Sequence, residues 1–187
     1  MIYLEKGPKR DQKPVTIDNY IKSIAMKISP LRITARSTFR DISALHISSP
    51  EFEPNGFIPS RFTCDGANVN PPLDIVDIPA VTKSLALIMD DPDAPIRPWV
   101  HWLAWNMPVA HHIKEDTFFK EQGINDFREN RYGGPCPPYG IHRYFFKVYA
   151  LDVQLTLTTR TDRKDLERAM DGHVLAFGEL VGKYMRR

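Results

Sequence analysis

Sixteen prolines are spread through this chain of 187 residues, well above the roughly 5% of ordinary usage. Each fixes φ and removes a backbone N–H, which breaks helix interiors and central sheet ladders. A chain punctuated this often folds as short strands joined by irregular turns. Between the prolines lie three apolar runs of strand length: SLALIM (Ser84–Met89), WVHWLAWNM (Trp99–Met107) and HRYFFKVYALD (His142–Asp152). ALHI, beginning at Ala44, is a shorter candidate. Residues 1–43 are basic and weakly patterned and are expected to be a partly disordered N-terminal extension, with 44–187 as the folded domain. Residues 1–25 lack a periodic apolar face, so their deletion is expected to leave the fold intact. Met26 is an internal candidate start.

Side-chain alternation assigns faces to these strands. On the second, His101 shares a face with Trp99, Leu103 and Trp105, and Val100, Trp102 and Ala104 occupy the other. Both faces are apolar, which predicts a central strand covered on both sides. On the third, His142, Tyr144, Phe146, Val148 and Ala150 share a face, opposite a partly wet row of Arg143, Phe145, Lys147 and Tyr149. After Thr161 or Asp162, either a suitable N-cap, the apolar residues Leu166, Ala169, Met170, Val174, Leu175, Leu180, Val181 and Tyr184 follow helical spacing. That predicts two helices, or one broken near Asp171–Gly172, to the end of the chain. The fold class is mainly β: a Greek-key-type β-sandwich with short helices and a C-terminal helix.

Composition removes several classes of function. Twenty-five basic and 23 acidic residues leave a formal charge of +2, too balanced for nucleic-acid binding by charge alone. No apolar run reaches the length of a membrane-spanning helix, and the N-terminal segment lacks the apolar core of a signal peptide. The expected compartment is the cytoplasm. Cys64 and Cys136 are too few for a disulfide framework; they are either free thiols or a single bridge.

The chemistry-bearing residues gather where loops meet strands. DDPDAP supplies Asp90, Asp91 and Asp93, WVHW supplies His101, and YGGPCPPYGIHRY supplies His142 and Tyr144. Prolines stiffen a loop and hold carboxylates in place at low entropic cost. A carboxylate beside an imidazole orients the ring and favours its charged form, which then binds an anion such as phosphate. Gly133, Gly134 and Gly140 allow close backbone approach and could add main-chain donors, and Tyr132 or Tyr144 could add a hydroxyl.

The segments PSRFTCDGANVNPPL, TKSLALIMDDPDAP, WVHWLAWNMP, NDF, YGGPCPPYGIHRYFFKVYALD and MDGHVLAFGELVGKY occur in that order. Together, over Ala44 to Tyr184, they resemble the phosphatidylethanolamine-binding protein (PEBP) family, in its bacterial and archaeal Raf-kinase-inhibitor-like branch. The resemblance implies a β-sandwich with a C-terminal helix and a small anion pocket lined by Asp91, Asp93, His101, Pro135, His142 and Tyr144. It also implies a cis peptide before the tryptophan strand, here at Arg97–Pro98. The N-terminal 43 residues have no counterpart in it.

The function expected is non-enzymatic binding of phosphate-bearing ligands such as phospholipid headgroups, without a cofactor or metal. Two alternatives stand beside it. One is an inhibitor of a kinase or protease acting by protein contact. The other is a hydrolase or metalloenzyme using Asp91, His101 and His142, which lacks a nucleophile because Cys136 is hemmed by prolines and no G-x-S-x-G elbow is present. The partners so implied are a small anion or headgroup, a kinase or protease, and a second copy in a homodimer, with no nucleic acid and no membrane-spanning segment. Asp91, His101 and His142 are expected to converge on one site, with millimolar affinity for phosphate. His142→Ala is expected to abolish binding at little cost in stability.

Overall fold

The computed structural model describes residues 42–186; the expected dispensability of residues 1–25 and nearly all of the 1–43 extension fall outside them. The described elements are β1 (Ser43–Ala44), β2 (His46–Ser48), a 3-10 turn (Ser60–Phe62), β3 (Leu73–Val76), β4 (Ser84–Asp91), β5 (Trp99–Met107), β6 (His112–Ile113), β7 (His142–Leu151), α1 (Arg163–Met170) and β8 (Val174–Tyr184). They form a five-stranded sheet in the order β1-β8-β7-β4-β5 and a three-stranded sheet in the order β2-β3-β6. The β1–β8 pair is parallel and the other neighbours are antiparallel. The mainly β architecture expected from the sequence is what the chain adopts.

Two apolar layers flank the large sheet. Between the sheets, Phe62, Leu73, Ile75, Leu87, Trp102, Phe146 and Val148 belong to one cluster. On the far side, Ile88, Val100, Leu103 and Trp105 pack with Leu155, Leu166 and Met170, which brings α1 onto the sheet. Each fully buried large apolar side chain contributes about 1.5–3 kcal/mol. α1 begins where the sequence places it: Asp162 is the N-cap, its carboxylate accepting from Asp165 N.

The end of the chain departs from expectation. Val174–Tyr184 is a strand, and α1 is not followed by a second helix. Its burial alternates, with Ala176, Gly178, Leu180, Gly182 and Tyr184 all buried, which is the period of a strand. Apolar spacing alone fits both periods here. Gly178 and Gly182 decide it, since both are costly in a helix interior and both are required where they stand. A Cβ on Gly178 would strike the backbone of Leu45, and one on Gly182 would strike Ile58 and Phe52. Gly178→Ala is therefore expected to destabilise the fold by about 1–3 kcal/mol, measured by denaturant unfolding; an unchanged midpoint would mean that β1 and β2 shift aside freely.

The tryptophan strand also differs. β5 is an edge of the sheet, not its centre. Its free side is instead covered by the loop that follows β6: Trp105 N donates to Glu121 O, Gly123 N to Leu103 O, Asp126 N to Val100 O and Gly133 N to His101 O. Nor does the face assignment survive. Met89 pairs with Trp102 but Asp90 with Val100, so His101 is an extra residue in a β-bulge. Across it the parity flips: Val100, Leu103 and Trp105 share the α1 side, while Trp102 and Ala104 face the other sheet, joined by Met107 past a second register shift between Ala104 and Met107. On β7 the expected faces hold, with Tyr144, Phe146, Val148 and Ala150 all in the inter-sheet core.

Candidate functional site

Asp90 and Asp91 end β4, rather than lying in the loop after it. Successive strand residues point to opposite faces, so the two carboxylates serve different places. Asp90 meets Lys147 and Arg163 on the α1 side. Asp91 turns to the other face and accepts from Nδ1 of His142 at 2.7 Å, with both side chains 5% exposed. The second oxygen of Asp91 accepts from Asp93 N at 2.8 Å, which folds the DPDAP loop back over the strand end.

His101 reaches the same place from β5. As the bulge residue it is aimed apart from its neighbours, and its Nδ1 donates to Gly133 O at 2.6 Å. Gly133 N donates back to His101 O, and the Asn125 amide nitrogen also donates to His101 O. The ring stands edge-on to Tyr144 and Phe127. Burial holds His101 below the ordinary imidazole range, against the opposing pull of the Gly133 carbonyl and the Asp91 charge.

A cavity of about 220 Å³ opens where these elements meet, lined by Asp91, His101, His142, Trp99, Phe127 and Cys136, with Ala94, Pro95 and Pro138 completing the wall. The three residues expected to converge therefore do so. The other three do not line the cavity. Asp93 faces outward, where Arg143 grips it through Nε, Nη2 and the backbone N–H and holds its carboxyl below the usual range. The Pro135 carbonyl accepts from Cys64 N, behind the wall. Tyr144 lies fully buried beneath the site against His101, and burial together with the neighbouring Asp91 charge pushes its phenol up.

Three of the five expected auxiliary donors are committed elsewhere, while Gly140 is exposed and the Tyr144 hydroxyl is buried beneath the site. Gly133 N bonds His101 O, Gly134 N bonds Asn68 Oδ1, and the Tyr132 hydroxyl donates to Phe62 O. The two glycines serve packing: a Cβ on Gly133 would enter the Phe127 ring, and one on Gly134 would strike Phe62 O and Thr63. The Arg97–Pro98 bond is trans, since the described residues contain no cis peptide. The turn into β5 is made instead by Asp126, which takes Val100 N and both terminal nitrogens of Arg97. Cys64 and Cys136 form a disulfide, which settles the choice that their number left open.

The tautomers follow from the partners. A carbonyl and a carboxylate only accept, so both histidines carry hydrogen on Nδ1. A neutral ring then presents Nε2 as a lone pair, and only a charged ring presents it as a donor. The pairing of His142 with buried Asp91 also revises the expected cost of His142→Ala: it strands a buried carboxylate, so stability falls along with binding.

A family model described as phosphatidylethanolamine-binding protein matches residues 48–185. A UPF0098 protein of Pyrococcus horikoshii is 47% identical over 155 residues, 77% of this chain and 78% of the relative. One from Aquifex aeolicus is 43% identical over 152 residues, 76% and 89% of the two chains. Among solved structures, a PEBP homolog from Chlamydia trachomatis is 39% identical with a TM-score of 0.74, covering 78% of this chain and 99% of that one. E. coli YbcL, described as a member of the mammalian PEBP family, is 26% identical with a TM-score of 0.71, covering 78% and 100%. With most of its length matched by the family model and by these relatives, the chain belongs to the phosphatidylethanolamine-binding protein family.

Proposed function

We propose that this chain is a non-enzymatic binding protein whose pocket takes a small phosphate-type group, free or on a phospholipid headgroup. The observation that carries this reading is the pair of imidazoles, His101 and His142, each anchored through Nδ1 and lining one cavity. Fixed rings need no ordering when a ligand arrives, which favours a modest binding site. The ligand is neutralised by protons on Nε2; the main-chain donors of Gly133 and Gly134 are already paired and the prolines at 95 and 138 have none, while the indole N–H of Trp99, in the cavity lining, is a buried donor without a partner among the described residues.

Contact with a protein partner, a kinase or protease among them, is the second reading. It rests on exposed apolar residues flanking the cavity: Ile96 is 96% exposed and Tyr139 69%. Such a rim suits a docking partner that covers the pocket.

Asparagine separates the roles of each ring. It retains a donor near the Nδ1 position and lacks Nε2. His142→Asn is expected to weaken phosphate binding at least tenfold by calorimetry, with a smaller loss of thermal stability than His142→Ala. Unchanged phosphate affinity in His142→Asn would sink the anion reading. Zinc bound tightly by the wild type and lost in the same variant would replace it with a metal site.

A further inference from the structure

Cys136 lies in the cavity wall and its disulfide partner Cys64 is solvent-exposed. The chain before Cys136 is tied down by several bonds: Tyr132 to Phe62 O, Gly134 N to Asn68, and Cys64 N to Pro135 O. The chain after Ile141 is tied again, by His142 to Asp91 and Arg143 N to Asp93. Between them, no hydrogen bond connects Pro137, Pro138, Gly140 or Ile141 to the other described residues, and Tyr139 meets the His142 ring only edge-on. Two of these residues are prolines without an N–H, and Gly140 takes φ +70° in open space. Pro137 is buried, while Pro138 through Ile141 are exposed, and of these only Pro138 lines the cavity. The disulfide is thus the one covalent tie, at one end, on a wall segment that little else holds.

We propose that the Cys64–Cys136 disulfide is a redox control on this pocket: its reduction by a dithiol loosens the exposed Pro138–Ile141 segment, whose Pro138 lines the cavity beside Cys136, and weakens ligand binding. The proposal rests on the phosphate-pocket reading above. Chemically, a thiolate of the dithiol attacks the exposed Cys64 sulfur. The Cys64–Cys136 bond breaks, a mixed disulfide forms on Cys64, and Cys136 leaves as a thiolate that takes a proton from water. The second thiol of the reductant then attacks the mixed disulfide, freeing Cys64 as a thiol. Two electrons pass to the protein, and the dithiol ends as its own disulfide.

The test compares wild type oxidised, wild type fully reduced with dithiothreitol under a thiol count of two, and Cys64→Ser/Cys136→Ser. Inorganic phosphate is titrated by calorimetry, and amide exchange is followed over residues 139–142. Reduction is expected to quicken exchange there and to weaken phosphate binding at least threefold, reversibly on reoxidation, with the double variant matching the reduced state. If the double variant fails to fold, reversible reduction of the wild type carries the comparison. Unchanged phosphate affinity in the reduced protein overturns the redox control, whether or not exchange quickens. An oxidised protein that binds no phosphate overturns the functional reading instead, and this proposal with it.

Discussion

Asp90→Ala is expected to lower the unfolding free energy by about 3–5 kcal/mol, the cost of leaving a buried ion without its partner. Asp90 is 2% exposed and Lys147 6%. Lys147 Nζ donates to both Asp90 oxygens at 2.8 Å, and Arg163 Nη1 donates to Oδ2 at 2.5 Å. Removing the carboxylate therefore strands an ammonium inside the sheet and releases the Arg163 anchor that α1 extends to β4. Glu179, opposite Lys147 in the β7–β8 register, can answer only in part, because it is exposed. Asp90→Ala/Lys147→Met should recover much of the loss, since the pair is then replaced by apolar atoms and no charge is left behind. Denaturant unfolding decides between outcomes: a loss below about 0.5 kcal/mol in the single variant would mean that water already reaches Lys147.

Much of the fold and of the site is legible in the sequence, and what is not has physical causes. The three long strands announced themselves because buried strands are continuous apolar runs. Asp91, His101 and His142 converge as expected because β4 pairs with both β5 and β7, which brings three strand ends together. What strict alternation could not reveal was the bulge at His101, because a bulge changes parity without changing composition. The same local rule misread the last strand, where Leu, Val and Tyr at mixed spacings fit either period and only Gly178 and Gly182 carried the contrary signal. Asp93 and Tyr144 stood beside the right residues but serve Arg143 and the core. Among the residues that sequence reasoning left without a role, Asn125, Asp126 and Phe127 hold β5 or line the cavity. Their signal was present in NDF, yet their function depends on a long-range contact to β5 that spacing does not encode.

Anion binding is expected to weaken as pH rises, by about tenfold per unit above the His101 transition. The geometry requires it: with Nδ1 bonded to Gly133 O, the Nε2 of a neutral His101 repels an anion, and only the charged ring donates to one. Burial depresses that transition below its ordinary value near 6.5, so near neutral pH the ring must take up a proton when the anion enters. The titratable and charged groups around it are Asp91 and His142 lining the same cavity, Asp90 behind β4, and the Asp93–Arg143 and Arg97–Asp126 pairs at the rim. Without ligand the sign for stability is fixed too. A depressed imidazole contributes stability that is present above the unfolded value near 6.5 and lost as pH falls toward and through the folded one, because the unfolded chain takes the proton first. A bound anion offsets that loss by favouring the charged folded ring. Sulfate is the cleaner probe, since it holds no titrating proton in this range, whereas phosphate does. Calorimetry from pH 5.5 to 8 should give a falling sulfate affinity, with proton uptake visible as a dependence of the heat on the buffer. In His101→Asn the slope should shrink, because the titrating nitrogen is gone. A flat profile in the wild type, or sulfate affinity that climbs with pH, would exclude binding through a protonated His101.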